Sequence, residues 1–255
     1  MGVENFIKTM WQSELIEEFR GQALIHEITY AVPTEGGKLI INKMGAVAVK
    51  EYAGSVEYDE LNTTKVEVPF DQQRYFAIKI HDVEACQLAG DIRQPAIREG
   101  GYRLAKAVDD HAVEKIMGSN AHKTTVALTK ANAYEEIVKA NRELDKKDVP
   151  NDRVIVCGWD VVAMLEAGDM KDNFHQDVVA NGMQYRLNGV RVVPTNRVAE
   201  GTVIILSKQA VAYGMQLNEL EALRLESSFS DAVRGLEQFA VAVVREEAIE
   251  IIKAN

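Results

Sequence analysis

The chain has 255 residues, of which 47% are hydrophobic, and its formal net charge is −10. This length can bury a sizeable core in one elaborate domain or two compact ones. The acidic balance argues against a protein that grips nucleic acid, because neutralising phosphates needs clustered Lys and Arg, but a protein that merely encloses nucleic acid stays open. No apolar run approaches the ~20 residues of a membrane span, and the N-terminal residues match neither a secretory signal nor a myristoylation site. We therefore expect a soluble protein made in a cytoplasm.

The two cysteines, Cys86 and Cys157, lie in apolar contexts far apart in the sequence. Such positions favour buried thiols in a reducing compartment over a disulfide. Neither cysteine belongs to a C-x-x-C pair, so the pattern offers no support for a zinc site.

Residues 1–26 carry apolar side chains at helical spacing, including Met10, Leu15 and Phe19. Trp11 and Phe19 would be exposed to water unless they met a partner surface. The sequence therefore predicts an arm or terminal helix that packs on another part of the assembly.

The next segment, up to residue 80, has a β-type pattern. Residues 38–68 are strand-like and polar, which predicts a long hairpin with too few apolar residues for a core of its own. Residues 64–70 and 76–80 each alternate apolar and polar side chains, as half-buried strands do. Because only a short polar turn separates these two strands, we predict that they form an antiparallel pair leading into a long helix.

That long helix extends from Asp91, a candidate N-cap, to Met117, before the stop signal at Gly118. Its apolar stripe consists of Ile97, Leu104, Ala105, Val108, Ala112 and Ile116. Gly100 and Gly101 interrupt the pattern, and each costs about 1 kcal/mol relative to Ala in a helix. The helix therefore either begins after the two glycines or packs its backbone tightly there.

The pattern changes after residue 118. It predicts three elements: a helix at 134–144, a buried strand at 154–157 and a helix at 159–167 that ends at Gly168. Asn132 and Glu135 have the spacing of a capping box for the first of these helices. Residues 168–184 show no clear period, and we expect a loop or mobile segment there.

Further strands complete the chain. Asn188 and Gly189 lie between two β-type pieces within 185–193, which is a strong hairpin signal. Residues 203–206 read as another buried strand. Alternation returns at 221–252, so the chain is predicted to rejoin the sheet that it left near residue 118.

Several polar groups invite a catalytic interpretation. Asp109, Asp110 and His111 are consecutive, but neighbours on a helix point about 100° apart and cannot converge on one ion. We interpret them as part of a charged, solvent-facing side of the helix. His81 and Asp82 have the same difficulty, because successive side chains of a strand face opposite ways.

Two other features are equally weak. His175, near Asp172 and Asp177, is interpreted as a histidine in a loop. Gly158 follows a strand and precedes a helix, as in a nucleotide-binding turn, but the G-x-G-x-x-G pattern is missing. We therefore assign no catalytic residue, no cofactor and no metal ligand, and we expect a structural or binding role rather than an enzyme.

The order of segments resembles that of major capsid proteins of tailed double-stranded DNA phages. The resemblance rests on EYAGSVEYDELNTTKVEVPFDQQRYFAIKIHDVEACQ at 51–87, RLAKAVDDHAVEKIMG at 103–118, VIVCGWDVVAMLEAG at 154–168, MQYRLNGVRVVPTN at 183–196 and VIILSKQAVAYG at 203–214. It implies an α+β protein with the Hong Kong 97-type capsid fold. The implied parts are an N-terminal arm at 1–30, an extended loop at 31–68, a peripheral domain with a long spine helix at 69–130 and 215–255, and an axial domain at 131–214.

The resemblance also implies a function. The chain would assemble with itself, through pentamers and hexamers, into an icosahedral head that encloses the phage DNA without sequence-specific binding. Its implied partners are a separate scaffolding protein, a portal and a decoration protein, with no membrane. It would be assembled in the cytoplasm of the bacterial host and reside in the virion.

Two alternatives remain at this point. A cellular nanocompartment shell (encapsulin-like) would have the same fold and enclose protein cargo. A small-molecule α/β enzyme would use the Gly158 turn and His175. Some relatives cross-link a loop Lys to a neighbouring Asn, but no acceptor can be chosen here for Lys38, Lys43 or Lys50.

Overall fold

The computed structural model describes residues 23–44, 51–52, 63–81, 93–168, 174–179, 182–225 and 230–254. The helices of these residues are α1 (Ile25–Ile28), α2 (Arg93–Gly118), α3 (Ala133–Lys146) and α4 (Trp159–Glu166). The strands of the first half are β1 (Tyr30–Ala31), β2 (Thr34–Glu35), β3 (Lys38–Met44), β4 (Thr63–Pro69), β5 (Gln72–His81), β6 (His122–Thr125) and β7 (Arg153–Cys157). Those of the second half are β8 (Phe174–Val179), β9 (Gly182–Leu187), β10 (Val190–Pro194), β11 (Val203–Ser207), β12 (Val211–Arg224), β13 (Ser230–Val243) and β14 (Ile249–Lys253).

The strands form three sheets. One has four strands in the order β1-β12-β13-β5, and a second has seven in the order β6-β14-β11-β7-β10-β9-β8. The third is small and consists of β2-β3-β4. One large hydrophobic core joins α2, the four-stranded sheet and the seven-stranded sheet. Among the described residues, none of the helices combines the length and apolar character that crossing a membrane requires.

The long helix α2 is continuous through Gly100 and Gly101. The helix therefore does not begin after the two glycines but packs its backbone tightly at them, the second of the two predicted alternatives. A Cβ atom on Gly100 would lie 2.9 Å from the ring of Phe76 on β5, and one on Gly235 of β13 would lie 2.5 Å from the same ring. The Phe76 ring thus fills a slot between the helix and the sheet that only glycines leave open. The predicted N-cap, Asp91, lies outside the described residues.

The predicted pairing of β4 with β5 is wrong. Strand β4 pairs with β3 in the small sheet, whereas all of β5 pairs with β13. Only Phe70 and Asp71 separate β4 from β5, and neither has the positive φ that a two-residue hairpin turn needs. The amide of Phe70 instead donates to the carbonyl oxygen of Gly37 at 3.0 Å, which keeps the end of β4 beside β3.

The predicted long hairpin is confirmed over its described part. In β3, Leu39 and Ile41 are buried against Ala212 and Ala240 on the face of the four-stranded sheet opposite α2. Gly214 makes room for this packing, because a Cβ atom there would lie 2.2 Å from Leu39 Cδ2. The base of the hairpin is therefore anchored to the body, as its low apolar content requires.

The seven-stranded sheet contains most of the elements predicted from continuous apolar runs. Strands β7 and β11 are buried along their whole length, and β14 lies between β11 and β6. Helices α3 and α4 are also confirmed. The predicted capping box is wrong, since Asn132 Oδ1 accepts from the amide of Thr129 at 2.7 Å and does not cap α3.

The expected loop at 168–184 is also wrong. Residues 174–179 and 182–187 are the paired strands β8 and β9, and they extend the sheet to its edge. Backbone hydrogen bonds to a neighbour hold such an edge hairpin, so the segment needs no apolar period of its own. The predicted turn between β9 and β10 is confirmed, with φ of 50° at Asn188 and 81° at Gly189.

The Phe76 slot makes a first prediction. Gly235→Ala should lower the free energy of unfolding by about 1–3 kcal/mol, because the new methyl group would overlap a ring that cannot retreat past Gly100. The measurement is urea denaturation followed by circular dichroism. Gly118→Ala is the matched control, since nothing lies within 4 Å of a Cβ atom there. Equal stability of Gly235→Ala and the unchanged protein would disprove the slot.

Candidate assembly surfaces and the buried polar site

The residues singled out on α2 do not share one environment. Asp109 is buried, so its assignment to a solvent-facing side is wrong, while the Asp110 side chain is about half exposed. The His111 side chain is mostly buried, and its ring contacts Phe239 edge-on at 5.7 Å between centroids. The three side chains do not form a joint site.

Asp109 fastens the segment before β1 to the long helix. Its carboxylate oxygens accept from the amides of Leu24 at 3.1 Å and Ile25 at 2.9 Å, at the start of α1. Arg197 Nε lies 3.4 Å from the same carboxylate. Burial raises the pKa of Asp109 to about 6, although the two amides and Arg197 favour the charged form. The segment from 23 to 28 therefore belongs to the body, and the predicted arm residues 1–22 lie outside the described part.

A second buried acid, Glu237, was missed from the sequence. It lies on β13 between Gly235 and Phe239, on the face toward α2, and it is fully buried. Among the described residues, neither carboxylate oxygen has a hydrogen-bond partner, and burial raises the pKa of Glu237 to about 8. The hydroxyl of Tyr213 also lacks a partner among these residues, and burial together with Glu237 raises the pKa of that tyrosine. The available signal was an acid at a position of β13 where the alternation calls for an apolar residue.

The Gly158 turn is closed by its own chain. A Cβ atom on Gly158 would lie 2.1 Å from Asp160 Oδ1, and the other carboxylate oxygen of Asp160 accepts from the amide of Gly201 at 2.6 Å. An acid in the first turn of α4 opposes the binding of a phosphate there. Burial raises the pKa of the free Cys157 thiol to about 12, so it is an unreactive core residue.

The other candidate residues form no described cluster. His81 ends β5 and His175 lies in β8, but their side chains are outside the described part, as are Asp82, Cys86 and Asp172. Within the described ranges, no group of three His, Cys, Asp or Glu residues could hold a metal ion.

Large aromatic side chains are exposed on the four-stranded sheet and at the start of α4. Tyr75 is 76% exposed on the sheet face opposite α2. Beside it is a groove of about 400 Å³ lined by Tyr75, Ala77, Glu221, Arg234, Gly235 and Leu236. Trp159 is 49% exposed at the start of α4, and its ring contacts that of Tyr185 edge-on. Large aromatic side chains that are exposed in this way are typical of protein–protein interfaces.

The architecture matches solved structures over nearly its whole length. A structure from Mycobacterium phage Che8 matches at 24% identity with a TM-score of 0.71, covering 91% of each chain. The capsid structure of Cyanophage P-SCSP1u matches at 12% identity with a TM-score of 0.70, covering 91% of this chain and 88% of that one. A virus-like particle from Pyrococcus furiosus matches at 14% identity with a TM-score of 0.66, covering 97% of this chain and 99% of that one. No family model and no curated protein sequence matches the chain.

These likenesses confirm the predicted fold class, and the chain has the Hong Kong 97-type capsid fold. At these identities the comparison concerns the fold and not the activity.

The anchoring role of Asp109 makes a second prediction. Asp109→Ala should lower the free energy of unfolding by about 1–3 kcal/mol, because it leaves two buried amides without an acceptor. Asp109→Asn keeps an acceptor oxygen and should be milder. The control is Lys106→Ala on the same helix, whose exposed side chain has no ion pair among the described residues and predicts a change within about 0.5 kcal/mol. Urea denaturation at pH 7.5 provides the comparison, and equal effects of the two Ala variants would refute the anchor.

Proposed function

We propose that this chain is a major capsid protein of a tailed phage, which assembles with itself through pentamers and hexamers into the icosahedral head around double-stranded DNA. The observation that carries the proposal is the likeness to a cyanophage capsid over 91% of this chain and 88% of that one. Because the match covers both chains almost completely, little of either chain is left for a different role.

We further propose how the parts of the fold divide. The N-terminal arm, placed at 1–30 from the sequence, would be confined to 1–22, because 23–28 is fastened to the long helix, and the extended loop would lie within 31–68. The long helix and four-stranded sheet would form the peripheral domain, and the seven-stranded sheet the axial domain. Two strands, Ile249–Lys253 and His122–Thr125, pair with each other in the seven-stranded sheet. They would therefore move to the axial domain from the sequence-based peripheral ranges, 69–130 and 215–255.

The exposed groups support assembly. Tyr75 and its groove, and the polar hairpin whose base is anchored to the four-stranded sheet, are surfaces that a neighbouring copy can cover. Head-to-tail contacts between identical chains close into rings when the rotation permits, so every such contact is repeated around the shell. Weak single contacts are then sufficient for a stable shell.

The net charge of −10 suits a container. A strongly basic wall would adhere to packed DNA, whereas an acidic one encloses DNA without gripping it. We propose a separate scaffolding protein, a portal and a decoration protein as partners, assembly in the bacterial cytoplasm and final residence in the virion. We also propose that the chain is not an enzyme, a view that the acid-filled Gly158 turn supports.

A cellular nanocompartment shell is the second candidate, and the match to a virus-like particle over 97% and 99% of the two chains favours it. The two candidates differ in their contents. Shells purified from the native source should contain double-stranded DNA under the first proposal and a protein cargo under the second. Nuclease-protected nucleic acid and mass spectrometry of the contents separate them.

Assembly itself is tested on the purified chain. Size exclusion followed by negative-stain microscopy should reveal shells or their rings, with or without a co-expressed scaffolding protein. A persistent monomer under all of these conditions would overturn both shell proposals.

A third prediction concerns the extended loop. Met44 and Thr63 are direct partners in the register of β3 and β4, so a two-residue Asn-Gly turn can replace residues 45–62 without disturbing the pairs below. The shortened chain should melt cooperatively as before, because Leu39 and Ile41 keep their contacts, yet it should form no stable shells.

The control for this deletion is a shuffled sequence of equal length between Met44 and Thr63. It should fold and also fail to assemble, since the loop is expected to act through its own contacts and not through its length. Normal shells from either variant would contradict the assignment of these residues to the extended loop. Loss of cooperative melting would show that the core depends on residues 45–62.

A further inference from the structure

The fully buried Glu237 is the strongest unexplained feature of the described residues. Its two oxygens have no partner, although a carboxylate without one is among the costliest groups to bury. The neutral acid avoids most of this cost, so Glu237 holds its proton at neutral pH. The position lies in the joint between α2 and the four-stranded sheet, where Gly235 and Phe239 are its neighbours on the same face.

The elements around Glu237 carry charges of both signs. The titratable and charged groups of the described elements at this joint are Arg74 on β5, Tyr213 on β12, Asp109, His111, Glu114 and Lys115 on α2, His26 on α1 and Arg197 beside Asp109. An ionised Asp109 would repel a second negative charge, whereas the neutral hydroxyl of Tyr213 can donate a hydrogen bond but carries no compensating charge. Burial lowers the pKa of His111, which favours its neutral ring, so His111 is not a ready counter-ion.

Lys115 pairs with Asp71 and Arg197 with Asp109, so among the described cations Arg74 is the one placed to reach Glu237. The two residues are direct partners in the register of β5 and β13, so their side chains leave the same face of the sheet. Directly opposed residues have Cβ atoms about 5 Å apart, well within the length of an arginine. In the structure Arg74 instead lines an open cleft of about 690 Å³, and its Nη1 donates to the carbonyl oxygen of the adjacent Gln73 at 3.1 Å. That exposed bond is weak and easily exchanged.

We propose that Glu237 and Arg74 form a proton-operated switch in the joint between the long helix and the four-stranded sheet. While Glu237 holds its proton, the joint is dry and Arg74 lies outside in the cleft. When the proton leaves to solvent, the buried carboxylate draws the guanidinium of Arg74 inward across the strand pair. The incoming charge and its water loosen the packing of α2 on the sheet. This switch is independent of the proposed function, because it operates within one chain.

The direction of the effect follows from linkage. Burial raises the pKa of Glu237 in the folded chain to about 8, above the usual value of 4.5. Between these values the folded chain keeps a proton that the unfolded chain has released, so its contribution to stability is complete below 4.5 and is lost as the pH rises through 8. For one proton the unfolding constant rises about tenfold per pH unit in that window.

The fourth prediction tests the acid. In urea denaturation of the unassembled full chain at pH 6 to 9, the ratio of the unfolding constants of the unchanged protein and Glu237→Gln should rise about tenfold per pH unit up to pH 8. Glu200→Gln is the control, because that exposed side chain lies outside the joint, on the segment between β10 and β11, and should leave the pH profile unchanged. Parallel profiles for the unchanged protein and Glu237→Gln would overturn the switch.

Two further measurements test whether Arg74 pairs with the ionised Glu237, and neither requires a stable Glu237 variant. Nuclear magnetic resonance of the unchanged chain should detect the carboxyl carbon of Glu237 and the Nε–H of Arg74 titrating together. Arg74→Gln should match the unchanged protein at pH 6 and unfold at least several-fold more easily at pH 9, since the carboxylate then lacks its counter-ion. An Arg74 signal that ignores pH, or an Arg74→Gln variant that matches at both pH values, would overturn the pairing.

Discussion

The contact of the long helix α2 with the four-stranded sheet is the constraint from which the rest of the fold follows. The ring of Phe76 lies between Gly100 and Gly235, and this slot sets how closely helix and sheet approach. From that contact the helix continues to Gly118, where the chain passes directly into β6 of the seven-stranded sheet. One core then joins both sheets, so a displacement of the helix is transmitted to each of them.

Local chemistry was sufficient to predict the buried strands and the tightest turn. Strands β7 and β11 are continuous apolar runs, which have few other stable arrangements in a soluble domain. Asn188 and Gly189 are the residue types that accept the positive φ of a two-residue hairpin. The segment order was enough to indicate the capsid fold. For the buried strands and the turn, the deciding information lies within a few neighbouring residues.

The misplaced Asp109 and the wrong pairing of β5 have the opposite origin, since each depends on a partner that is distant in the sequence. Asp109 and Asp110 are chemically identical neighbours, and only the arrival of the amides of Leu24 and Ile25 makes the first a buried anchor. Strand β5 could pair with the preceding strand by its pattern, but β13 offers ten consecutive partners. The alternation of apolar and polar residues in one strand cannot reveal which other strand will pair with it. Glu237, an acid at a position where β13 should have an apolar residue, looks like a break in the alternation until the sheet is known.

The position of β14 has a consequence for how the protein is made. Residues 249–253 lie between β11 and β6, and they are synthesised after both of these strands. Until they leave the ribosome, the sheet has a gap where β14 belongs, and β6 has no neighbour among the described strands. The nascent chain therefore cannot complete its main core before β14 is made, and pairings over a long sequence distance form slowly. Completion of the seven-stranded sheet is thereby tied to a strand that is synthesised after all of its neighbours.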